Sequence, residues 1–64
     1  MIRDQELFGA ALMLARRHGR DAGFVAAARI EELLRAGEDD GVAMWEEIAE
    51  RIPLALERVA ANPC

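Results

Sequence analysis

The sequence predicts an all-α domain of three helices, an αα-hairpin followed by a longer third helix bent at Pro53. Three observations carry that prediction. Apolar residues recur at steps of three and four along most of the chain, which draws one stripe down each helix. Gly19 and Gly37 punctuate the periodic stretches at the places where helices would stop. No run of alternating apolar and polar residues marks a strand, and no segment repeats.

The first helix is predicted from about Asp4 to His18. Asp4 and Glu6 put negative charge at the dipole's positive end, and Asp4 is a candidate cap. Leu7, Phe8, Ala11, Leu14, Ala15 and His18 share one face at roughly 100° per residue. Arg16, Arg17 and His18 fill the last turn, and Gly19 supplies a left-handed stop. The second helix is predicted from Ala22 to Ala36, with Asp21 as its cap. Ala26, Ala27, Ile30, Leu33 and Leu34 form its inward face, while Arg29, Glu31, Glu32 and Arg35 stand outside. The inward alanines of these two helices would let them approach closely as a hairpin.

The loop Glu38-Asp39-Asp40-Gly41 leads into the third helix, predicted from Asp40 to Ala60 with Asp39 or Asp40 as cap. Trp45, Ile48, Ile52, Ala55 and Val59 draw the stripe on which the rest of the chain is expected to pack. Met44, Ala49 and Leu56 widen it, and Glu46, Glu50 and Glu57 gather opposite. Pro53 removes the hydrogen bond to the Ala49 carbonyl and disfavours helical geometry at Ile52. The stripe nevertheless keeps its phase across the proline, so one helix convex toward solvent is expected rather than two. A single domain would span residues 1–64, with frayed ends at 1–3 and 62–64.

Sixty-four residues bring the chain near the lower limit for one self-sufficient core. A chain of this size buries only about 60% of the surface its unfolded form exposes. Cys64 is the sole cysteine, so no disulfide can form within one chain, and no Cys/His cluster offers a structural metal. Self-association is the remaining usual route to stability. Twelve acids against eight arginines give a formal charge of −4, which argues against a sequence-independent phosphate binder. Asp4 and Glu6 interrupt any secretion signal, and the longest apolar run, Ala10 to Ala15, is too short to span a bilayer. A cytoplasmic protein with a reduced thiol and no membrane contact is expected.

The chain holds no Ser, Thr, Tyr or Lys. That removes hydroxyl nucleophiles, Schiff-base chemistry and a P-loop lysine together. Acid–base or nucleophilic work would fall to His18, Cys64 and the carboxylates, so no catalytic residue and no cofactor is assigned. His18 has no titratable partner at a fixed spacing and reads as a partly buried imidazole at a helix end. Cys64 is terminal and reads as a site of disulfide formation between chains in vitro. Gly41 stands where an EF-hand loop places its glycine, which puts Glu38, Asp40 and Glu47 at ligand positions. The first ligand position then falls on Ala36, which has no side-chain oxygen, so no metal site is assigned.

Two surface constellations remain. Met13, Phe24 and Leu54 fall off the inward faces of their helices and could join into one partner patch. The half of the third helix beyond Pro53, with Ala55, Leu56 and Val59, should exceed what two short helices can cover and would dock a second chain. Arg16, Arg17 and Arg20, beside His18, form the basic cluster and carry the alternative of nucleic-acid binding. Trp45, the largest residue, is expected in the core.

Several of these residues also carry a resemblance. Glu6-Leu7-Phe8, Arg17-His18-Gly19, and the stretch from Ala36 through Gly37, Asp39, Asp40 and Gly41 to Trp45, with Ile48-Ala49, resemble a family of short uncharacterised bacterial proteins. Those proteins tend to carry an aromatic at the place of Phe8 and a tryptophan at the place of Trp45. The likeness covers about Asp4 to Arg51, and the tail from Pro53 departs from it. It implies a helical fold of unknown function, and no mechanism. The expected role is a non-enzymatic interaction or regulatory module, acting as a homodimer or on a protein partner. A nucleic-acid-associated regulator ranks second and a minimal enzyme last.

Overall fold

Helix α3 (Asp39–Ala61) is the platform on which α1 (Asp4–His18) and α2 (Ala22–Ala36) both pack. A computed structural model describes residues 3–61 of the chain, and among them there is no strand. The helix boundaries agree with the periodicity: α1 and α2 end where the glycine stops fall, and α3 extends one residue further at each end than predicted. Of the expected frayed ends, residues 1–2 and 62–64 lie outside the described residues.

The hairpin is formed by different helices from those predicted. α1 and α2 touch each other little, while each packs extensively on α3. The tight connection is the one between α2 and α3. Gly37 adopts φ 73° and ψ 23°, which only glycine reaches cheaply. Its N–H donates to the Leu34 carbonyl at 3.1 Å, and the Glu38 N–H donates to the Leu33 carbonyl at 2.9 Å. This pair of bonds is a Schellman stop, and it turns the chain directly into α3. Gly41 then lets α3 close on α2, since a Cβ at that position would sit 3.2 Å from Leu33 Cδ2.

Between α1 and α2 the chain makes one 3-10 turn, Gly19–Asp21, rather than a capped loop. Asp21 has helical dihedrals and makes no side-chain cap, so its predicted role is not filled. Asp4 does not cap α1 either. Arg3 is the extended residue before the helix, and its carbonyl accepts from the Glu6 and Leu7 N–H groups at 3.0 and 3.1 Å. Glu6 reaches back to the Arg3 N–H at 3.4 Å, half of a capping box. At the start of α3, Asp39 and Asp40 lie within the first turn, and the first bond runs from the Val42 N–H to the Glu38 carbonyl. Their charge complements the dipole there, but the capping position belongs to Glu38.

The core consists of Leu7, Ile48, Ile52 and five alanines, Ala11, Ala15, Ala22, Ala26 and Ala55. Five of these eight are alanine, and such small side chains let helix backbones approach one another closely. Trp45 is partly buried against this core, together with Phe8, Leu14, Met44, Ala49, Leu56 and Val59. α3 continues through Pro53, whose ring is exposed, as its place on the acidic side required. The molecule is a thin slab of 38 × 24 × 14 Å with a radius of gyration of 11.8 Å. A compact chain of this length would have about 10.7 Å. Its accessible surface is 4874 Å², where a compact chain of this mass would have about 4,100 Å². The slab has one layer too few to cover both faces of its helices.

Candidate interaction surfaces

α1 lies across the second half of α3, and two contacts fix it there. The Arg51 guanidinium bonds the Asp4 carboxylate, and the Arg58 guanidinium carbon stands 5.2 Å above the centroid of the Phe8 ring. Beside the Arg58–Phe8 contact opens a surface groove of about 530 Å³ lined by Phe8, Leu54, Glu57, Arg58 and Ala61. Leu54 is 61% exposed at its edge. The groove combines an apolar floor with one acid and one base. That composition suits a side chain from another protein better than it suits a reacting substrate.

This placement corrects the expectation for the half of α3 beyond Pro53. Ala55 is 0% exposed, enclosed within the chain's own core, and it cannot serve as a docking residue. Leu56 and Val59 are partly buried against the same core. The physical reason is α1: by spending its apolar face on α3 rather than on α2, it covers the stretch that seemed left open. Leu54 alone of that half presents a large apolar side chain to solvent.

Met13 and Phe24 are exposed, at 60% and 78%, but neither lines the groove with Leu54. Met13 projects from the side of α1 that carries Gly9, Arg16 and Arg17. Phe24 projects from α2 on the side away from α3. The sequence reading missed a fourth member, Leu34, which is 58% exposed; Ala27, two turns earlier on the same side of α2, is exposed as well. The periodicity places both on the inward face expected for α2. The arc from Ala22 through Ala27 to Leu34 is wider than one neighbouring helix can cover, and that width was the available signal.

Arg16, Arg17 and Arg20 are all exposed, and no carboxylate pairs with them among the described residues. By contrast, Arg29 pairs with Glu32 at 3.1 Å and Arg35 with Glu31 at 2.9 Å, both along α2. His18 is exposed rather than partly buried, because Ala15 is the last residue of α1 that the core reaches. Cys64 lies outside the described residues. Among the described residues, no three His, Cys, Asp or Glu side chains converge on a metal position. None of the described helices is long and apolar enough to cross a membrane.

A flat three-helix slab with an alanine-rich core and large apolar groups outside defines a class of small all-α domain. Residues 3–59 match a family described as "Family of unknown function (DUF6961)", and the chain belongs to that family. The match runs through Pro53 to Val59, so the family extends over the tail that the sequence resemblance left out. No curated protein and no solved structure matches the chain.

Proposed function

We propose that this protein is a non-enzymatic protein–protein interaction module of the cytoplasm that works by self-association. The observation that carries this reading is how apolar side chains are divided between inside and outside. Five of the eight buried core residues are alanine, while Met13, Phe24, Leu34 and Leu54 are each more than half exposed. A 64-residue chain that must earn its stability from a small core gains nothing by leaving its larger apolar groups in water. Burying them against another copy recovers that loss. The test is the mass of the protein in solution over a wide concentration range. Self-association predicts a mass above 7.1 kDa that grows with concentration. A monomeric mass throughout would remove the reading.

A second reading rests on the arginines. Arg16, Arg17 and Arg20 stand exposed without carboxylate partners among the described residues, while the chain as a whole is acidic. A local basic site of this kind suits a nucleic-acid phosphate backbone. Retention on DNA or RNA that falls as salt rises supports it, and a flat titration at low salt removes it.

A further inference from the structure

α2 has two apolar arcs, and α3 covers only one of them. Ala22 and Ala26 are fully buried against the core. At roughly 100° per residue, Gly23, Ala27, Ile30 and Leu34 fall on a second arc about a quarter-turn away. Ala27 and Leu34 on this arc are exposed, Ile30 is partly buried, and Phe24 stands exposed at its edge. Gly23 faces open space, with nothing within 4 Å of where a Cβ would be.

We propose that two copies of the chain pair through this outer face of α2, antiparallel, about a twofold axis passing between Ala27 and Ile30. The proposal rests on the self-association reading and gives it a surface and a direction. Charge identifies the occupant. α2 is flanked in the chain by exposed basic residues before it, Arg16, Arg17 and Arg20, and by exposed acidic residues after it, Glu38, Asp39 and Asp40. An antiparallel pair lays the basic end of each copy beside the acidic end of the other. A parallel pair would set like charges together at both ends. The chain therefore carries, at the two ends of α2, charges that complement each other when a second copy lies antiparallel, as an isologous interface requires.

Shape agrees with charge. About that axis, Gly23 of one copy lies opposite Leu34 of the other, and Ala27 lies opposite Ile30. Each small residue meets a large one, so the two faces interdigitate where identical large residues would collide.

The test is analytical ultracentrifugation of the full chain across concentration and salt, with helicity followed by circular dichroism. The wild-type chain is expected to form a dimer that weakens as salt rises. Gly23→Leu fits the open space in one copy but occupies the position of the other copy's Leu34. It should weaken the dimer at least about tenfold while leaving the monomer helical. Arg16→Glu with Arg20→Glu should abolish pairing, and so should Glu38→Arg with Asp40→Arg. An equimolar mixture of those two double variants should restore it, because opposite charges then meet at both ends. Failure of the mixture to pair would overturn charge-guided pairing through the ends of α2. A dimer indifferent to Gly23→Leu and Leu34→Asp but dissociated by Leu54→Asp would overturn this surface and leave the self-association reading standing. A chain monomeric at every concentration would overturn both.

Discussion

Arg51 of α3 holds Asp4 of α1 across a separation of 47 residues, with Nε donating to the carboxylate at 3.0 Å and Nη2 donating to the same oxygen. Its Nη1 meanwhile donates to the Glu47 carbonyl one turn earlier at 2.7 Å. One guanidinium thus ties the first turn of α1 to the middle of α3. The hydrogen bond to Asp4 is the main cause of a guanidinium pKa raised above its ordinary value. A raised pKa on a base favours the folded state below the unfolded value, and the arginine's own contribution is lost as pH climbs through strong alkali. At neutral pH this contact is therefore a constant clasp and no switch.

Asp4→Asn and Arg51→Met should each lower the melting midpoint by a few degrees, and the double variant should fall no further than the worse single one. Thermal unfolding followed at the helical signal measures all three. Additive losses would mean that the two side chains act independently and that α1 is held on α3 by its apolar face alone.

Ala26 and Ala27 are adjacent in sequence and opposite in consequence. Ala26 is fully enclosed and Ala27 is exposed. Ala26→Leu must force new methylenes between helices that touch through alanine, and should destabilise by about 1–3 kcal/mol. Ala27→Leu adds the same atoms at the surface and should change monomer stability by no more than about 0.5 kcal/mol. Urea titration at a concentration where the chain is monomeric separates them.

That contrast shows where sequence reading succeeds and where it stops. The helix ends were legible because Gly19 and Gly37 stop helices through backbone sterics, a local property that periodicity confirms. The dominance of α3 was legible in its unbroken stripe through Trp45, Ile48, Ile52 and Val59. Which helices pair was not legible, because an alanine face is compatible with any neighbour that comes close. The inward alanines of α1 and α2 suggested that these helices faced each other, and both face α3 instead. From that one choice follow the burial of Ala55, the coverage of Leu56 and Val59, and the release of Ala27 and Leu34 to solvent. Arg51 was equally hidden, since no pattern in sequence links it to an aspartate in another helix.

Gly9 and Gly37 should respond to alanine with opposite signs. Gly9 lies inside α1 with nothing within 4 Å of a Cβ, so Gly9→Ala should stabilise by about 0.5–1 kcal/mol through helix propensity. Gly37 sits at φ +73°, where a Cβ is strained, and Gly37→Ala should cost about 1–2 kcal/mol. Gly37→Asn should cost less than alanine, because asparagine tolerates the left-handed region. Chemical unfolding midpoints rank the three variants.

Pro53 offers the sharpest test of α3 as a platform. Its ring is exposed, so Pro53→Ala removes no core contact, and it restores a donor for the Ala49 carbonyl. Proline costs about 3 kcal/mol relative to alanine in a helix interior. It returns about 0.4–1 kcal/mol by stiffening the unfolded chain. A net gain of about 2 kcal/mol is expected, read as a melting midpoint higher by roughly 10 °C for a domain of this size. The gain would hold only if the residues beyond the proline keep their places, because Ala55, Leu56 and Val59 all pack against the core from that side. A loss of stability instead would mean that the backbone geometry at Pro53 aims those residues at α1. The proline would then be part of how α1 is seated, and its cost to the helix would be offset by the burial that it makes possible.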